Sequence, residues 1–194
     1  MPLSGPSSYV PTLTSFRSHW ETVDTELNTS GPFTITDPAN LSGPRLGIVV
    51  MDDLISELEG FALTISDEVA RGDVADAVLA EAKRSALDSA QEFGRKVREN
   101  GLLRHLVPRL PELPKVHEGQ GSFLSAMNSV RSRWTQANAM LTTPLLLGSG
   151  ETQAQFATRV NTLLTQFSDA EDADVDASVS RRRRDEVQGR AREV

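Results

Sequence analysis

Residues 12–27, TLTSFRSHWETVDTEL, and residues 126–141, AMNSVRSRWTQANAML, decide the fold expected for this chain. In the first stretch, large apolar side chains recur at intervals of three and four residues, which places them on one face of a helix. The second stretch repeats that spacing, and its tryptophan, Trp134, corresponds to Trp20. Each stretch therefore predicts an amphipathic helix with a tryptophan in its apolar face.

The correspondence between the two stretches is a constant displacement of 114 residues. It pairs five apolar positions in order: Leu13, Phe16, Trp20, Val23 and Leu27 with Met127, Val130, Trp134, Ala137 and Leu141. A repeated ordered series of this kind indicates an internal duplication. Because aromatic and branched side chains in such stripes are core-forming, we expect four of these residues to be core anchors: Phe16, Trp20, Val130 and Trp134.

The duplication extends beyond the two tryptophan helices. Residues 32–35, PFTI, correspond to residues 144–147, PLLL, and a displacement of 106 then pairs Leu54, Leu58 and Phe61 with Val160, Leu164 and Phe167. Each half of the chain is therefore predicted to contain a tryptophan helix, a short apolar loop and a helical hairpin.

Further helices are indicated by an apolar stripe over roughly residues 46–71 and by an alanine-rich stretch over residues 74–100. Between them, Arg71-Gly72-Asp73 predicts a tight turn, because glycine suits the position after a helix end and aspartate suits an N-cap. A later helix is expected to begin near Thr152. The polar segment from Asp169 is compatible with a return helix or with a frayed tail.

We therefore expect an all-α protein: an elongated antiparallel helical bundle built from two related helical units. Its predicted organisation is an extended N-terminal arm (1–11), a first helical repeat (12–100), a Pro-rich connector (101–121) and a second helical repeat with a polar C-terminal segment (122–194).

The connector contains Pro108, Pro111 and Pro114, a spacing typical of an extended polyproline segment. Two interpretations follow. Pro-x-x-Pro segments bind to aromatic grooves of partner proteins. Alternatively, the interspersed leucines (Leu106, Leu110 and Leu113) pack this segment along the bundle as a strap, which is the interpretation that we favour.

Net charge is −7, with an isoelectric point near 5.0, which argues against nucleic acid and anionic lipid as partners. One basic run stands out, Arg181, Arg182, Arg183 and Arg184, directly after an acidic cluster over residues 169–176. The run could bind phosphate or an acidic protein. We favour a solvated helix face on which these arginines pair with nearby carboxylates, including Asp185 and Glu186.

The chain offers no assembled set of catalytic, cofactor-binding or metal-ligating residues. Cysteine is absent, and the three histidines have no metal-ligand spacing. Residues 172–176 begin like a calcium loop, but Ala177 and Arg183 occupy positions that require glycine and glutamate. Gly148-Ser149-Gly150 is expected to be a turn and helix cap. No apolar run approaches membrane-spanning length and no secretory signal is evident, so we expect a cytoplasmic protein.

Residues 108–114, PRLPELP, are followed by Gly119-x-Gly121-x-Phe123-Leu124 and then by Trp134. This series resembles uncharacterised bacterial proteins in which duplicated, Trp-bearing helical halves are joined by a Pro-Leu-rich connector. The resemblance is strongest over residues 90–140. It implies the two-repeat organisation and carries no activity.

These observations favour a non-catalytic structural protein that self-assembles or scaffolds a larger complex. Its expected partner is itself, as a homo-oligomer or polymer, or another protein. One alternative is a monomeric adaptor that uses the Pro-rich connector or the Arg181–Arg184 run. Another is an enzyme or ligand carrier with a pocket between the repeats near Trp20 and Trp134, which predicts a buried polar cluster beside those rings.

Overall fold

A computed structural model of the chain describes residues 6–27, 34 and 47–193. Its α-helices are α1 (Tyr9–Leu27), α2 (Val49–Glu99), α3 (Gln120–Met140) and α4 (Gln153–Glu193), and 3₁₀ helices cover Pro6–Ser8 and Gly101–Arg109. No strand occurs in these described ranges. The predicted all-α class is confirmed.

Helix α1 begins at Tyr9, three residues before the predicted start. Pro11 lies in its first turn, where a residue without a backbone N–H costs nothing because that N–H would have no helical acceptor. The prediction of an extended arm is therefore wrong for residues 6–11, which form a 3₁₀ turn and the start of α1. The rest of the predicted arm, and the apolar loop predicted at 32–35 except for residue 34, lie outside the described residues.

Helix α2 runs without interruption through Arg71-Gly72-Asp73, so the predicted hairpin turn is wrong. Among the described residues only Gly150 has a positive φ, so Gly72 does not adopt the left-handed conformation that a helix end would require. One glycine costs a helix about 1 kcal/mol. The good helix formers around it, including Ala70, Ala75 and Ala77, outweigh that cost.

Helix α4 is continuous from Gln153 to Glu193, so the segment from Asp169 is neither a return helix nor a tail. Its buried face beyond that point consists mainly of small residues: Ala170, Ala173, Ala177, Ser180, Val187 and Ala191. Small side chains allow close approach of a neighbouring helix. The predicted start is confirmed by a capping box, in which the Gln155 N–H donates to the Thr152 hydroxyl and the Thr152 N–H donates to the Gln155 side chain.

The chain divides into two compact units, which differ from the predicted sequence halves. Unit 1 comprises Met1–Ala70 and Asp174–Val194, and unit 2 comprises Arg71–Ala173. Each unit contains one tryptophan helix, the beginning of the long helix that follows it, and the end of the other long helix.

Unit 1 has a small core formed by α1, the first part of α2 and the last part of α4. Its buried apolar residues are Tyr9, Leu13, Trp20, Met51, Leu54, Leu58, Val187 and Ala191. Arg190 pairs with Glu57 at 2.6 Å, and the Ser180 hydroxyl donates to Glu68 at 3.0 Å. Because rising positions in α2 meet falling positions in α4, these two helices are antiparallel within unit 1.

Unit 2 has the larger core, formed by the end of α2, the 3₁₀ helix, α3 and the first part of α4. Its largest fully buried side chains are Phe93, Leu103, Phe123, Met127, Trp134, Phe156 and Leu163. Arg159 donates to Ser89, and the Lys83 amine lies over the Phe167 ring. Here too α2 and α4 are antiparallel.

The burial pattern changes the predicted correspondence between residues of α2 and residues of α4. Leu58 is 4% exposed, whereas Leu164, its predicted counterpart, is 52% exposed. Shifting the register by three residues pairs Met51, Leu54 and Leu58 with Val160, Leu163 and Phe167, all of which are buried. Residues that are buried together must lie on the same side of a helix. The apolar residues of the sequence alone did not define which side that is.

Replacing Gly72 with alanine should stabilise the protein. A Cβ atom built at Gly72 meets no atom within 4 Å and the backbone there is helical, so G72A should raise the free energy of unfolding by about 1 kcal/mol in urea titrations. The matched variant G150A should lower it by a similar amount, because Gly150 has a φ of 80°. A loss of stability in G72A would contradict the continuous helix.

Candidate functional site

The Pro-rich connector lies along the core of unit 2. Its first part is a 3₁₀ helix rather than a polyproline segment, and the Asn100 side chain caps that helix by accepting the Leu102 N–H at 2.9 Å. Leu106 is buried, and Leu110 and Leu113 pack against the core. This is the strap arrangement that the leucines predicted.

The strap limits how the three prolines could be recognised. Pro108 is exposed but lies inside the 3₁₀ helix, whereas Pro111 and Pro114 are half-buried. Pro111 also lines a cavity of about 310 Å³ together with Phe93, Gly94 and Leu113. A Pro-x-x-Pro ligand presents its prolines on a free polyproline helix, so the strap would have to leave the core before this segment could bind in that way.

Trp134 is the central contact of unit 2. Its ring stacks on Phe93 with centroids 5.2 Å apart and lies 5.7 Å from Phe156. The indole N–H donates to the Leu145 carbonyl at 3.2 Å, which satisfies its one polar group in the interior. Val130, another predicted anchor, is also buried on α3.

The anchors of α1 divide between core and surface. Trp20 is buried in unit 1. Phe16, which we expected in the core, is instead 46% exposed and contacts Trp20 edge-to-face at 5.9 Å. The core of unit 1 holds fewer side chains than that of unit 2, so Phe16 packs at its margin and covers Trp20.

A buried polar cluster in unit 2 joins α2 to the start of α4. The Ser89 hydroxyl donates to Glu151 at 2.7 Å, and Arg159 lies 3.1 Å from the other oxygen of that carboxylate. Arg159 also donates to the Ser85 carbonyl and hydroxyl. Glu151 is almost fully buried, so this ion pair supplies the charge that its burial requires.

The loop before Glu151 is tied to the same helix. Glu92 accepts the Gly148 N–H at 2.5 Å, and a Cβ atom at Gly148 would meet the same carboxylate oxygen at 2.8 Å. Gly150 has a φ of 80°, so Gly148-Ser149-Gly150 forms a turn for which glycine is needed. The cluster and this turn together fix the loop onto α2.

This cluster is one helical turn from Phe93 and from Phe156, the two rings that contact Trp134. It therefore has the composition that the ligand-carrier hypothesis predicted. Its groups contact one another, however: the Ser89 hydroxyl donates to one Glu151 oxygen, and the other oxygen, which has no hydrogen bond, lies within ion-pair distance of Arg159. None of the cavities described in unit 2 is lined by Ser89, Glu151 or Arg159. These contacts explain the cluster as a structural feature that holds the start of α4 and the loop before it on α2.

Lys83 is a second charged residue in the interior of unit 2. Its amine donates to the Glu118 carbonyl at 2.9 Å and lies over the rings of Phe123 and Phe167, at 5.4 and 4.7 Å from their centroids. Burial lowers the pKa of the Lys83 amine below its ordinary value of 10.5, and the negative charge of Asp76 opposes that shift. No carboxylate of the described residues lies within ion-pair distance of this amine, and the two rings stabilise its positive charge instead.

The arginine run lies on the exposed part of α4. Arg184 is half-buried and bonds to Asp185 at 2.6 Å. Arg181, Arg182 and Arg183 are exposed and have no carboxylate within ion-pair distance in the described part of the chain. The predicted pairing with nearby carboxylates therefore holds only for Arg184.

No group of three or more potential metal-ligating side chains was found among the residues that the structure describes. None of the described helices combines the length and apolar character needed to cross a bilayer.

The ion pair in the polar cluster should contribute measurably to stability. Replacing Arg159 with methionine leaves Glu151 buried without its cation, so R159M should lower the free energy of unfolding by about 2 to 3 kcal/mol. In the control R84M, which removes an exposed pair with Glu81, the change should stay within about 0.5 kcal/mol. Urea unfolding followed by circular dichroism measures both. Equal losses would show that the cluster has no special role.

Lys83 should make stability depend on alkaline pH. Because its pKa is lowered in the folded protein, the unfolded chain binds the proton more tightly, and stability rises with pH in the interval below 10.5. Between about pH 8 and about pH 10, the unfolding free energy of the wild type should therefore increase relative to that of K83M. The variant K115M, which removes an exposed lysine, is the control. A parallel pH profile for K83M and the wild type would contradict the expectation.

No family model, curated protein or solved structure gives a significant match to this chain. Two features are not explained by internal packing: exposed apolar side chains on the long helices, and the exposed charges of α4.

Proposed function

We propose that this chain is a non-catalytic structural protein that associates with further copies of itself. The observation that carries the proposal is a second apolar face on α2. In unit 2, Val74 and Val78 are 63 and 48% exposed, and Ala77 is exposed beside them. At 100° per residue these three positions lie on one side of the helix, opposite the side that forms the core of unit 2.

An amphipathic helix at the surface of a monomer normally has a polar outer face. Burial of aliphatic side chains is favourable by about 25 cal/mol for each Å² of apolar surface removed from water. Exposed aliphatic side chains do not gain this stabilisation. A group of exposed aliphatic side chains on one side of a helix therefore indicates a surface for another protein. A second copy of the chain is the partner that needs no further component.

Internal duplication is part of this proposal. At a displacement of 114 residues, Leu13 and Met127 are both buried, and so are Trp20 and Trp134. The earlier residues Tyr9 and Phe123 extend the same series and are also buried. A chain with two related units would present related surfaces more than once, which favours assembly beyond a pair. The resemblance to duplicated bacterial proteins is in accord with this.

A monomeric adaptor is a second candidate, because Arg181, Arg182 and Arg183 are exposed and unpaired among the described residues. Exposed guanidinium groups can bind carboxylates or phosphates of a partner in bidentate fashion. In that case the run would capture an acidic protein without affecting the mass of the free chain.

Light scattering across a wide concentration range tests the leading proposal. We expect an average mass above the 21.1 kDa of one chain, increasing with concentration, and negative-stain images with regular assemblies. V74S/V78S should lower that mass, since it removes apolar area from the outer face of α2. V69S, on another side of the same helix, should leave it unchanged.

A mass of one chain at every concentration would contradict self-assembly. The adaptor would then be tested by capture of binding proteins on immobilised protein, comparing the wild type with a variant in which Arg181 to Arg184 are all glutamine. The adaptor predicts loss of a specific bound protein at an unchanged monomer mass.

A further inference from the structure

The cavity of about 310 Å³ that Pro111 lines is formed by α2, the strap and α3. All of its lining residues fall between positions 90 and 130, so the cavity belongs entirely to unit 2. Its volume is sufficient for a small organic molecule, because ligand cavities begin at about 300 Å³. Its lining is mainly apolar and includes Ala90, Phe93, Leu110, Leu113 and Val130.

Two polar side chains complete the lining, and both are at the surface. Gln91 and Arg98 are exposed, whereas Ala90, Phe93 and Val130 are buried. The cavity therefore extends from the core of unit 2 to solvent, and it opens beside one amide and one guanidinium group. An apolar space with a few polar groups is the usual composition of a small-molecule site.

The guanidinium group of Arg98 lies back along α2 over Gly94. Its Nη1 atom is 3.6 Å from the position that a Cβ atom of Gly94 would occupy. This direction is the ordinary one, because long side chains in a helix lean towards the N-terminus and cover the preceding turn. The positive charge of Arg98 is thereby held at the cavity.

No carboxylate in the described part of the chain lies within ion-pair distance of Arg98. Glu92 and Glu99, the acidic residues closest to it on α2, both pair with Arg95, at 3.4 and 3.1 Å. The acidic residues near the cavity in the sequence share one property, which is that none of them lines it: Asp88, Glu92, Glu99 and Glu112. The opening of the cavity therefore offers a cation that lacks a partner.

Gly94 leaves the space beneath this cation open. It is buried in the interior of α2, where glycine is less favourable than alanine. A Cβ atom there would meet only Arg98, at 3.6 Å, and Leu110, at 4.0 Å, which are ordinary contact distances. Close packing thus does not require glycine at this position. Because both contacts line the cavity, a longer side chain at position 94 would extend into it.

We propose that this cavity binds a small apolar monocarboxylate, with its apolar part among Phe93, Leu110 and Leu113 and its carboxylate on Arg98. A guanidinium group presents paired N–H donors that match the two oxygens of a carboxylate. The Gln91 amide adds a donor at the same opening. The inference is independent of self-association, since a single chain contains every residue of the site.

Calorimetric titration of the full chain tests the site with two probes, hexanoate and 3-phenylpropionate. We expect one molecule of probe per chain and a dissociation constant of about 0.1 to 1 mM. The neutral counterparts hexan-1-ol and 3-phenylpropan-1-ol keep the apolar part but lack the charge, and acetate keeps only the charge. Each of these should bind on the order of 10-fold more weakly or not at all.

Two variants alter the site itself. R98M replaces the guanidinium group with an unbranched apolar side chain and should raise the dissociation constant on the order of 10-fold. G94L places a side chain in the cavity and should abolish detectable binding. The matched control R104M removes an exposed arginine of the same unit that does not line the cavity, and it should bind like the wild type.

Circular dichroism verifies that each variant is folded. If G94L does not fold, G94A replaces it, because its Cβ atom makes only ordinary contacts, and a smaller loss of affinity is expected. Trp134 gives a second readout, since its ring stacks on Phe93, which lines the cavity. In W20F, where Trp134 is the remaining tryptophan, its emission should change as the probe binds.

Binding that requires the carboxylate and Arg98, and that is lost when position 94 is filled, supports the proposal. Absence of binding by the wild type for both probes up to about 10 mM would overturn it. Equal binding of acids and alcohols, or unchanged affinity in R98M, would show that the carboxylate is not recognised by Arg98. Unchanged affinity in the position 94 variant would place the probe elsewhere. Each of these results also overturns the proposal.

Discussion

The backbone hydrogen-bond ladder of α2, unbroken from Val49 to Glu99, is the constraint on which the rest of the fold depends. It lets one helix contribute Leu54 to the core of unit 1 and Phe93 to the core of unit 2. Within unit 2 it also determines the side of α2 on which Val74 and Val78 are exposed, opposite the residues that form that core. A turn at Gly72 would have placed a helix end directly before these two valines.

The sequence predicted those helices whose buried side is marked by large apolar side chains. Helix α3, Gln120–Met140, contains all but the last residue of the predicted stretch 126–141, and α4 begins at Gln153, directly after the predicted start near Thr152. The turn at Gly72 was wrong because a glycine signal is local, whereas helix stability accumulates over many neighbouring residues. The end of α4 was missed because its buried face is made of alanines, whose small apolar surface also occurs in solvent-exposed helices.

The polar interior of unit 2 could not be predicted. Ser89 and Glu151 are 62 residues apart in the chain, and Lys83 and its acceptor at Glu118 are separated by 35. Neither pair follows a local spacing rule, since a hydrogen bond between distant segments depends on how the helices pack. The arginine run was visible in the sequence, but its exposure was not: only Arg184 finds the carboxylate that we expected for the run.

Each compact unit contains one of the two tryptophans in the chain, Trp20 in unit 1 and Trp134 in unit 2. Their surroundings differ: Trp134 is stacked among phenylalanines and hydrogen-bonded to a carbonyl, and Trp20 lies beneath the half-exposed Phe16. The fluorescence of each tryptophan thus reports on the unit that contains it. Replacing either tryptophan with phenylalanine would leave an emission signal that follows the melting of one unit alone.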